Sequence, residues 1–427
     1  MTTQISKLEV GRVIVQGMIE TIRDKKSMQF IVLKDFSGKV QLTVDKNAHP
    51  EVGEVFSKLL AGATVKIEGE LVKSEYVKMG GQEILVDKAE VTSTAEPNPI
   101  AEDSDIDHKL NFRWIDLRLD KNNLLFKVQT EFVNAMRRFL LEKEFVEIHT
   151  PKLIGTASES GSDVFEVKYF DTKAYLAQSP QFYKQMAMAS GMGRIFECGP
   201  VFRAEKSYTR KHTTEFTGFD LEFSYIDSYE DVMKMEEELI EYTLRAVKEK
   251  YGEQIKEVFG VEVVVPKLPF PRIRLADLYV ELEKRYGYTM PESERDDLST
   301  EAEKLCKEFA MEEYGHEFIF VTDFGARKRA FYHLRKDGVP QGYDLIWKGV
   351  EITTGAQREH RYDILKAQAE EKGLDKDVEF YLQFFKYGCP PHGGFGIGVD
   401  RMTMNMLELP NLKESMFLFR GPDRLTP

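Results

Sequence analysis

Two short stretches near the C-terminus constrain this chain more than any other feature: DLIWKGVEITTGAQR, residues 344–358, and GGFGIGVDR, residues 393–401. The first carries two acids, Asp344 and Glu351, on what reads as one strand, with Arg358 after a turn-like TTGAQ. The second is a glycine-rich run closed by Arg401. Paired acids suit a divalent cation, and a guanidinium fork grips carboxylate or phosphate oxygens bidentately. Glycines let a backbone come close to a ligand. The combination points to a site for a Mg-nucleotide and a small acid. The odd spacing of the two acids puts them on opposite faces of a straight strand, so this reading requires a bend, for which Gly349 is the candidate. The run lacks the third glycine of GxGxxG and has no Gly-Lys-Ser/Thr, which excludes Rossmann and P-loop readings. Arg401 at a strand-to-helix junction still allows a phosphate contact there.

Upstream, residues 9 to 45 alternate apolar and polar, and MQFIVLKDFSGKVQLTV reads as a hairpin. TVKIEGELV and EILVDKAEVT give two more strands, with a helical KLLAG segment near 58 between the hairpin and them. Five short strands and one helix suggest an OB-type barrel over residues 1–95. Phe30 and Gln41 fall on adjacent strands and Arg23 leads into the hairpin, a plausible platform for stacking and reading single-stranded bases. From pattern alone the blander reading, Phe30 as core and Gln41 as a solvated strand residue, is the favoured one. TAEPNPIAEDSD is Pro-rich and acidic, and residues 96–122 read as a linker or hinge.

Residues 123–427 read as one larger domain. A helix places Phe126, Phe132, Val133, Met136, Phe139 and Leu140 on one face. FVEIHTPKL reads as a strand ending at Pro151, and KYFDTKAYLAQ as a hairpin. SPQFYKQMAMAS is a helix opened by Ser179 and Pro180. FTGFDLEFSYI is a strand before a long amphipathic helix, and 253–325 is a mixed stretch read as a possible inserted subregion. The strands follow no βαβ rhythm, so the fold class expected is α+β with a largely antiparallel sheet.

The 427 residues suit two or three domains, and 42 % apolar content is ordinary for a globular protein. No apolar run reaches the length of a membrane span and no early signal segment is visible, which argues against secretion and membrane insertion. Cys198, Cys306 and Cys389 are scattered without a CxxC, which fits a reducing, cytoplasmic setting. The net charge of -13 argues mildly against nucleic acid. It is uneven: the first hundred residues hold 13 basic and 14 acidic side chains, leaving the balance of the charge on the remainder.

FRAE sets Arg203 and Glu205 on one face of a strand, before a polar loop with Arg210, Lys211 and His212. An isolated pair of this kind is usually a surface ion pair, but with the cationic loop it looks like an anion gripper. Taken in order, FVEIHTPKL, FRAEKSYTRKHTTEF and GGFGIGVDR resemble the three motifs of the class II aminoacyl-tRNA synthetases, and within them the aspartyl branch of archaeal and eukaryotic type. The likeness runs from near residue 10 to the final RLTP. Departures are Glu144, where glycine is usual, Met18 for a Trp after Gly17, Lys34 for an Arg before Asp35, and Phe419 for a Pro.

The resemblance implies an OB-fold anticodon-binding domain joined to a catalytic domain that makes aspartyl-adenylate from ATP with Mg²⁺ and passes the acyl group to tRNA. It implies that Arg203 holds the α-phosphate and the transferring carboxylate, that Glu205 and Phe216 recognise and stack on adenine, and that His212 and Arg401 grip the β- and γ-phosphates. Asp344 and Glu351 match the metal ligands, and Glu351 also the nucleotide site. Glu159, Ser179, Gln181, Lys184, Asp220, Thr354 and Arg358 match the aspartate pocket, with Lys184 and Arg358 on the side-chain carboxylate. A pocket built around a polar partner rejects a mismatched analogue by roughly 10⁴. Arg23, Phe30, Gln41 and Glu68 match anticodon readers. The first motif implies a homodimer. Three alternatives stay open: a non-discriminating enzyme that also charges tRNA-Asn, a catalytically inactive tRNA-binding paralogue, and an aspartate-amidating paralogue.

Overall fold

The computed structural model describes residues 2–156, 164–206, 209–292 and 295–427. The chain forms two compact units, Met1–His108 and Lys109–Pro427.

The first unit is a closed barrel of five strands: β1 (Gly11–Asp24), β2 (Met28–Lys34), β3 (Lys39–Asp45), β4 (Thr64–Lys73) and β5 (Gln82–Ser93), joined in the order β1-β2-β3-β5-β4. All neighbours are antiparallel except β3 and β5. Alternation along β2 sends Ile31 and Leu33 inward and leaves Phe30 and Val32 on the outer face. The inward set, with Val15, Leu42, Val65 and Ile67, is wholly removed from water. The helix between β3 and β4, α1 (Pro50–Ser57), opens on Pro50 and ends before the KLLAG segment.

The second unit is built on an eight-stranded sheet. Its members are β6 (Val146–Glu147), β7 (Arg194–Phe202), β8 (Glu215–Ser224), β9 (Arg272–Arg274), β10 (Phe318–Thr322), β11 (Gly342–Trp347), β12 (Val350–Arg358) and β13 (His392–Gly398). Their order is β9-β10-β11-β12-β13-β8-β7-β6, antiparallel apart from the two outer pairs. The expected α+β class with a largely antiparallel sheet is what the chain adopts. Helices α2 (Asp120–Glu142) and α4 (Tyr229–Phe259) pack on each other, and α4 also lies against the sheet. Between them in sequence is α3 (Gln181–Ala189), and later come α5 (Leu275–Tyr286), α6 (Thr300–Tyr314) and α7 (Val399–Met406).

Several expectations need correction. Residues 109–122 belong to the second unit rather than to a hinge: Arg113 is buried there and donates to the main-chain oxygens of Glu414, Met416 and Phe417. Residues 253–325 are not set apart from the fold, since β9 and β10 extend the main sheet and α5 and α6 share a core with Ile319, Val321 and Ile346. FVEIHTPKL supplies only β6 and the two-residue strand Leu153–Ile154. Pro180, not Ser179, caps α3.

Candidate functional site

The acids Asp344 and Glu351 do not share a bent strand. The chain reverses completely at Lys348–Gly349, with φ of 49° and 76°, so that Asp344 sits on β11 and Glu351 on β12. Both turn residues lie in the left-handed region that a two-residue hairpin demands. A bulge between Leu345 and Ile346 in the register then shifts Glu351 onto the face of Thr354. The Thr354 hydroxyl lies 2.9 Å from Asp344 Oδ1 and 3.2 Å from Glu351 Oε1, which places the two carboxylates side by side. Burial raises the Asp344 pKa; Arg329 lowers it and the negative charge of Glu351 raises it further. Arg329 holds Asp344 at 2.8 and 2.5 Å and stacks on Phe324, and its Nε has no partner among the described residues.

Arg358 is the last residue of β12, not the residue after a turn. It is buried with Lys184 around a carboxylate that the motif reading did not single out, Glu222. Arg358 Nε donates to Glu222 Oε1 at 3.0 Å, and Lys184 Nζ lies 3.3 Å from Glu222 Oε2 and 3.1 Å from Asp220 Oδ1. Burial alone would raise Glu222, but Arg358 and Lys184 hold it below the usual carboxylate range. Glu222 is two residues beyond Asp220 on β8 and therefore on the same face, a period-2 signal present in TGFDLEF. Opposite them on β13 stand Gly396 and Gly394 in register with Asp220 and Glu222. A Cβ on Gly394 would lie 2.4 Å from Glu222 Oε2, and one on Gly396 2.8 Å from Asp220 Oδ1. Gly394 and Gly396 thus make room for the neighbouring strand and its acids. Around the buried cluster His392 bonds Gln185, and Gln181 Nε2 also donates to Gln185 at 2.7 Å.

Arg203 and Glu205 lie just beyond β7, which ends at Phe202, so no strand sets their common face. They still come together: Arg203 is 4.0 Å from Glu205, its guanidinium lies over the Phe216 ring, and His212 is 3.8 Å from Glu205. Burial lowers the His212 pKa, Glu205 opposes that, and Arg401 reinforces it. Arg401, in the first turn of α7, donates to the main-chain oxygen of Glu351 at 2.9 Å. One cavity of about 330 Å³ is lined by Ser179, Gln181, Lys184, Arg203, Glu205, His212, Phe216, Asp220, Glu351, Thr354, Arg358 and Arg401. Asp344 stands behind Thr354. Glu159 lies outside the described residues.

On the barrel, Arg23 and Phe30 pair across β1 and β2, with the guanidinium 5.9 Å from the ring centre. Gln41 donates to Glu83 at 3.2 Å and to Thr43 at 3.3 Å. Glu68 is not part of this group: it pairs with Ile14 and Lys88, four residues along β4 from Val72, the partner of Glu83, or about 13 Å at the rise of a strand. The acid of this face is Glu83, brought there by the parallel β3–β5 pairing that no local pattern reveals.

The model of the class II tRNA synthetases for D, K and N matches residues 105–420. The chain belongs to that family. The synthetase also matches the OB-fold nucleic acid binding domain over residues 13–92. It is 40 % identical over 430 residues to an aspartate–tRNA(Asp/Asn) ligase of Aeropyrum pernix, covering 98 % of this chain and 96 % of that one. It is 39 % identical over 431 residues to an aspartate–tRNA(Asp) ligase of Pyrococcus abyssi, with 99 % and 97 % covered. Among solved structures it is similar to an asparaginyl-tRNA synthetase of Pyrococcus horikoshii bound to asparaginyl-adenylate (TM-score 0.89, 32 % identity, 99 % and 98 % covered). No described helix is long and apolar enough to cross a membrane.

Proposed function

We infer that this synthetase is an aspartate–tRNA ligase that forms aspartyl-adenylate from ATP and transfers the acyl group to tRNA. The observation that carries the choice of amino acid is the buried pair Lys184 and Arg358. Both cations converge on one carboxylate position, now held by Glu222, and both line the cavity. A substrate side-chain carboxylate reaching the cavity beside Glu222 would meet both cations. Asp220, with Glu159, supplies the negative charge for the α-ammonium, and Ser179, Gln181 and Thr354 supply polar contacts.

At the other end Arg203 would bind the α-phosphate together with the attacking carboxylate oxygen. That oxygen attacks phosphorus in line as the bond to pyrophosphate breaks, so positioning and charge neutralisation suffice and no covalent enzyme intermediate is needed. Phe216 offers a face for adenine and Glu205 an acceptor for its amino group. His212 and Arg401 meet the outer phosphates. The adjacent carboxylates of Asp344 and Glu351, sharing Thr354, have the hard-oxygen chemistry of a Mg²⁺ site, and Mg²⁺ there would neutralise phosphate charge. Arg329 competes for Asp344, so Glu351 is the more available ligand of the two.

The first unit would read the anticodon through Arg23, Phe30 and Gln41, with Glu83 in the place expected for Glu68. Leu141, Val146 and Leu153 are exposed apolar residues around the first motif and suit a homodimer contact, checked by mass measured against dilution. Aspartate-dependent ATP–pyrophosphate exchange tests the enzyme reading; correctly folded protein without exchange overturns it. The Aeropyrum pernix relative, named for both tRNA-Asp and tRNA-Asn, supports a second reading, a relaxed enzyme. Charging assays on the two purified tRNAs separate them, since failure on tRNA-Asn removes the relaxed form.

A further inference from the structure

The outer-phosphate end of the cavity is tied to a helix that contributes no residue to the three motifs. Glu303, in the first turn of α6, is buried, with both carboxylate oxygens committed. They accept from Lys211 Nζ at 2.6 and 2.8 Å, and Oε1 also accepts from the main-chain N–H of Glu351 at 2.6 Å. Arg401 closes the arrangement from the opposite side, donating to the main-chain oxygens of Glu351 and, at 3.5 Å, Lys211. Glu303 thus ties a loop cation to the start of the strand that carries an acid, and Arg401 joins the same two residues through their main-chain oxygens; all three line the cavity.

A second contact is independent of that carboxylate. A Cβ on Gly349, at the tip of the β11–β12 hairpin, would lie 3.0 Å from the main-chain oxygen of Lys304 and 3.2 Å from its Cα. The hairpin that carries Asp344 and Glu351 therefore rests directly on the backbone of α6, beside Glu303.

We propose that Glu303 is a positioning residue for the β- and γ-phosphates of ATP, holding the Lys211 ammonium and the start of β12 where the triphosphate is gripped. It touches no reacting atom and acts through Lys211 and Glu351. On this reading α6 supports the phosphate end of the site, while the aspartate end, built on β8, β12 and α3, does not depend on it. The proposal rests on the ligase reading and extends it.

The test compares ATP and AMP binding by calorimetry in the full-length chain, with aspartate-dependent exchange measured in parallel. AMP has no outer phosphates. Glu303→Gln keeps the size of the side chain and an acceptor for Glu351 N–H but loses the charge that holds Lys211. The expected result is ATP binding weakened roughly ten- to a hundredfold, as for displaced positioning groups. AMP binding, the KM for aspartate and the melting temperature should stay near wild type. Lys211→Met should give the same selective loss, and the double variant should be no worse than either single one. Equal weakening of ATP and AMP, or wild-type ATP binding in folded Glu303→Gln, would overturn the proposal. Failure of the wild-type chain to bind ATP at all would instead sink the ligase reading.

Discussion

At the scale of single residues, the two most telling side chains are a cation and a misfit. Arg358 is buried, and its partners are Glu222 and the main-chain oxygen of Gly394. Arg358→Leu leaves Glu222 with Lys184 alone and removes half of the carboxylate grip. Aspartate-dependent exchange should fall by at least about thirtyfold, the low end of the scale for losing one partner of a buried, hydrogen-bonded charge pair. Normal exchange in a folded Arg358→Leu protein would refute the pocket assignment. The misfit is Glu144, which follows the C-terminal end of α2 with φ of 63°. Phe145 N–H bonds the Leu140 oxygen across it, the closure that favours glycine at this position. The left-handed backbone explains why the family motif carries glycine there. Glu144→Gly should stabilise the protein by ~0.5–1 kcal/mol, the relief of the left-handed Cβ less the extra freedom of glycine in the unfolded chain. A lower unfolding midpoint in urea would show that the Glu144 side chain contributes more than the strain costs. Arg358 and Lys184 were legible because their motifs are local. Glu222 was equally legible by alternation from Asp220, yet a lone acid on a buried strand carries no motif of its own.

At the scale of elements, the β11–β12 hairpin shows where local reading stops. Asp344 and Glu351 were visible as a pair, but a Lys-Gly turn carries a weaker hairpin signal than Asn-Gly, and a one-residue bulge leaves no mark in composition. The hairpin is clamped from beneath by Glu236 of α4, which accepts from the Tyr343 hydroxyl of β11 and the Thr353 hydroxyl of β12. Burial pushes Glu236 up to about 8 from 4.5, against the two hydroxyls that favour its charged form. The folded chain thus keeps a proton that the unfolded chain gives up above its ordinary carboxylate range. The stability this proton contributes is complete below pH 4.5 and is lost progressively as pH rises to about 8. Glu236→Gln, a neutral mimic of the protonated acid, should lose less stability than wild type between pH 5 and pH 8. Urea midpoints at several pH values check this, and parallel curves for the two proteins would show that Glu236 is already ionised in the fold.

At the scale of the whole molecule, the chain divides its chemistry between two units whose patterns are of different kinds. The barrel was legible from alternation because five strands with one buried face leave a period-2 trace. The expected boundary was less so: Arg113 looks like a linker residue until its three main-chain acceptors near the C-terminus are seen. Glu83 escaped for a related reason, since its neighbours Gln41 and Thr43 come from a strand about forty positions earlier. If the barrel reads tRNA and the second unit activates aspartate, one substitution should separate the two activities. Phe30 is partly exposed on the outer barrel face beneath Arg23, where a base can stack. Phe30→Ala removes that face without touching the cavity that holds Arg203 and Arg358. Stacking on an aromatic is worth about 1–3 kcal/mol per base, so tRNA charging efficiency should fall about five- to a hundredfold. Exchange without tRNA should stay at the wild-type rate. Comparable loss of both activities would contradict a division of labour between the units, and unchanged charging would return Phe30 to the bland role its alternation also allowed, an ordinary barrel side chain.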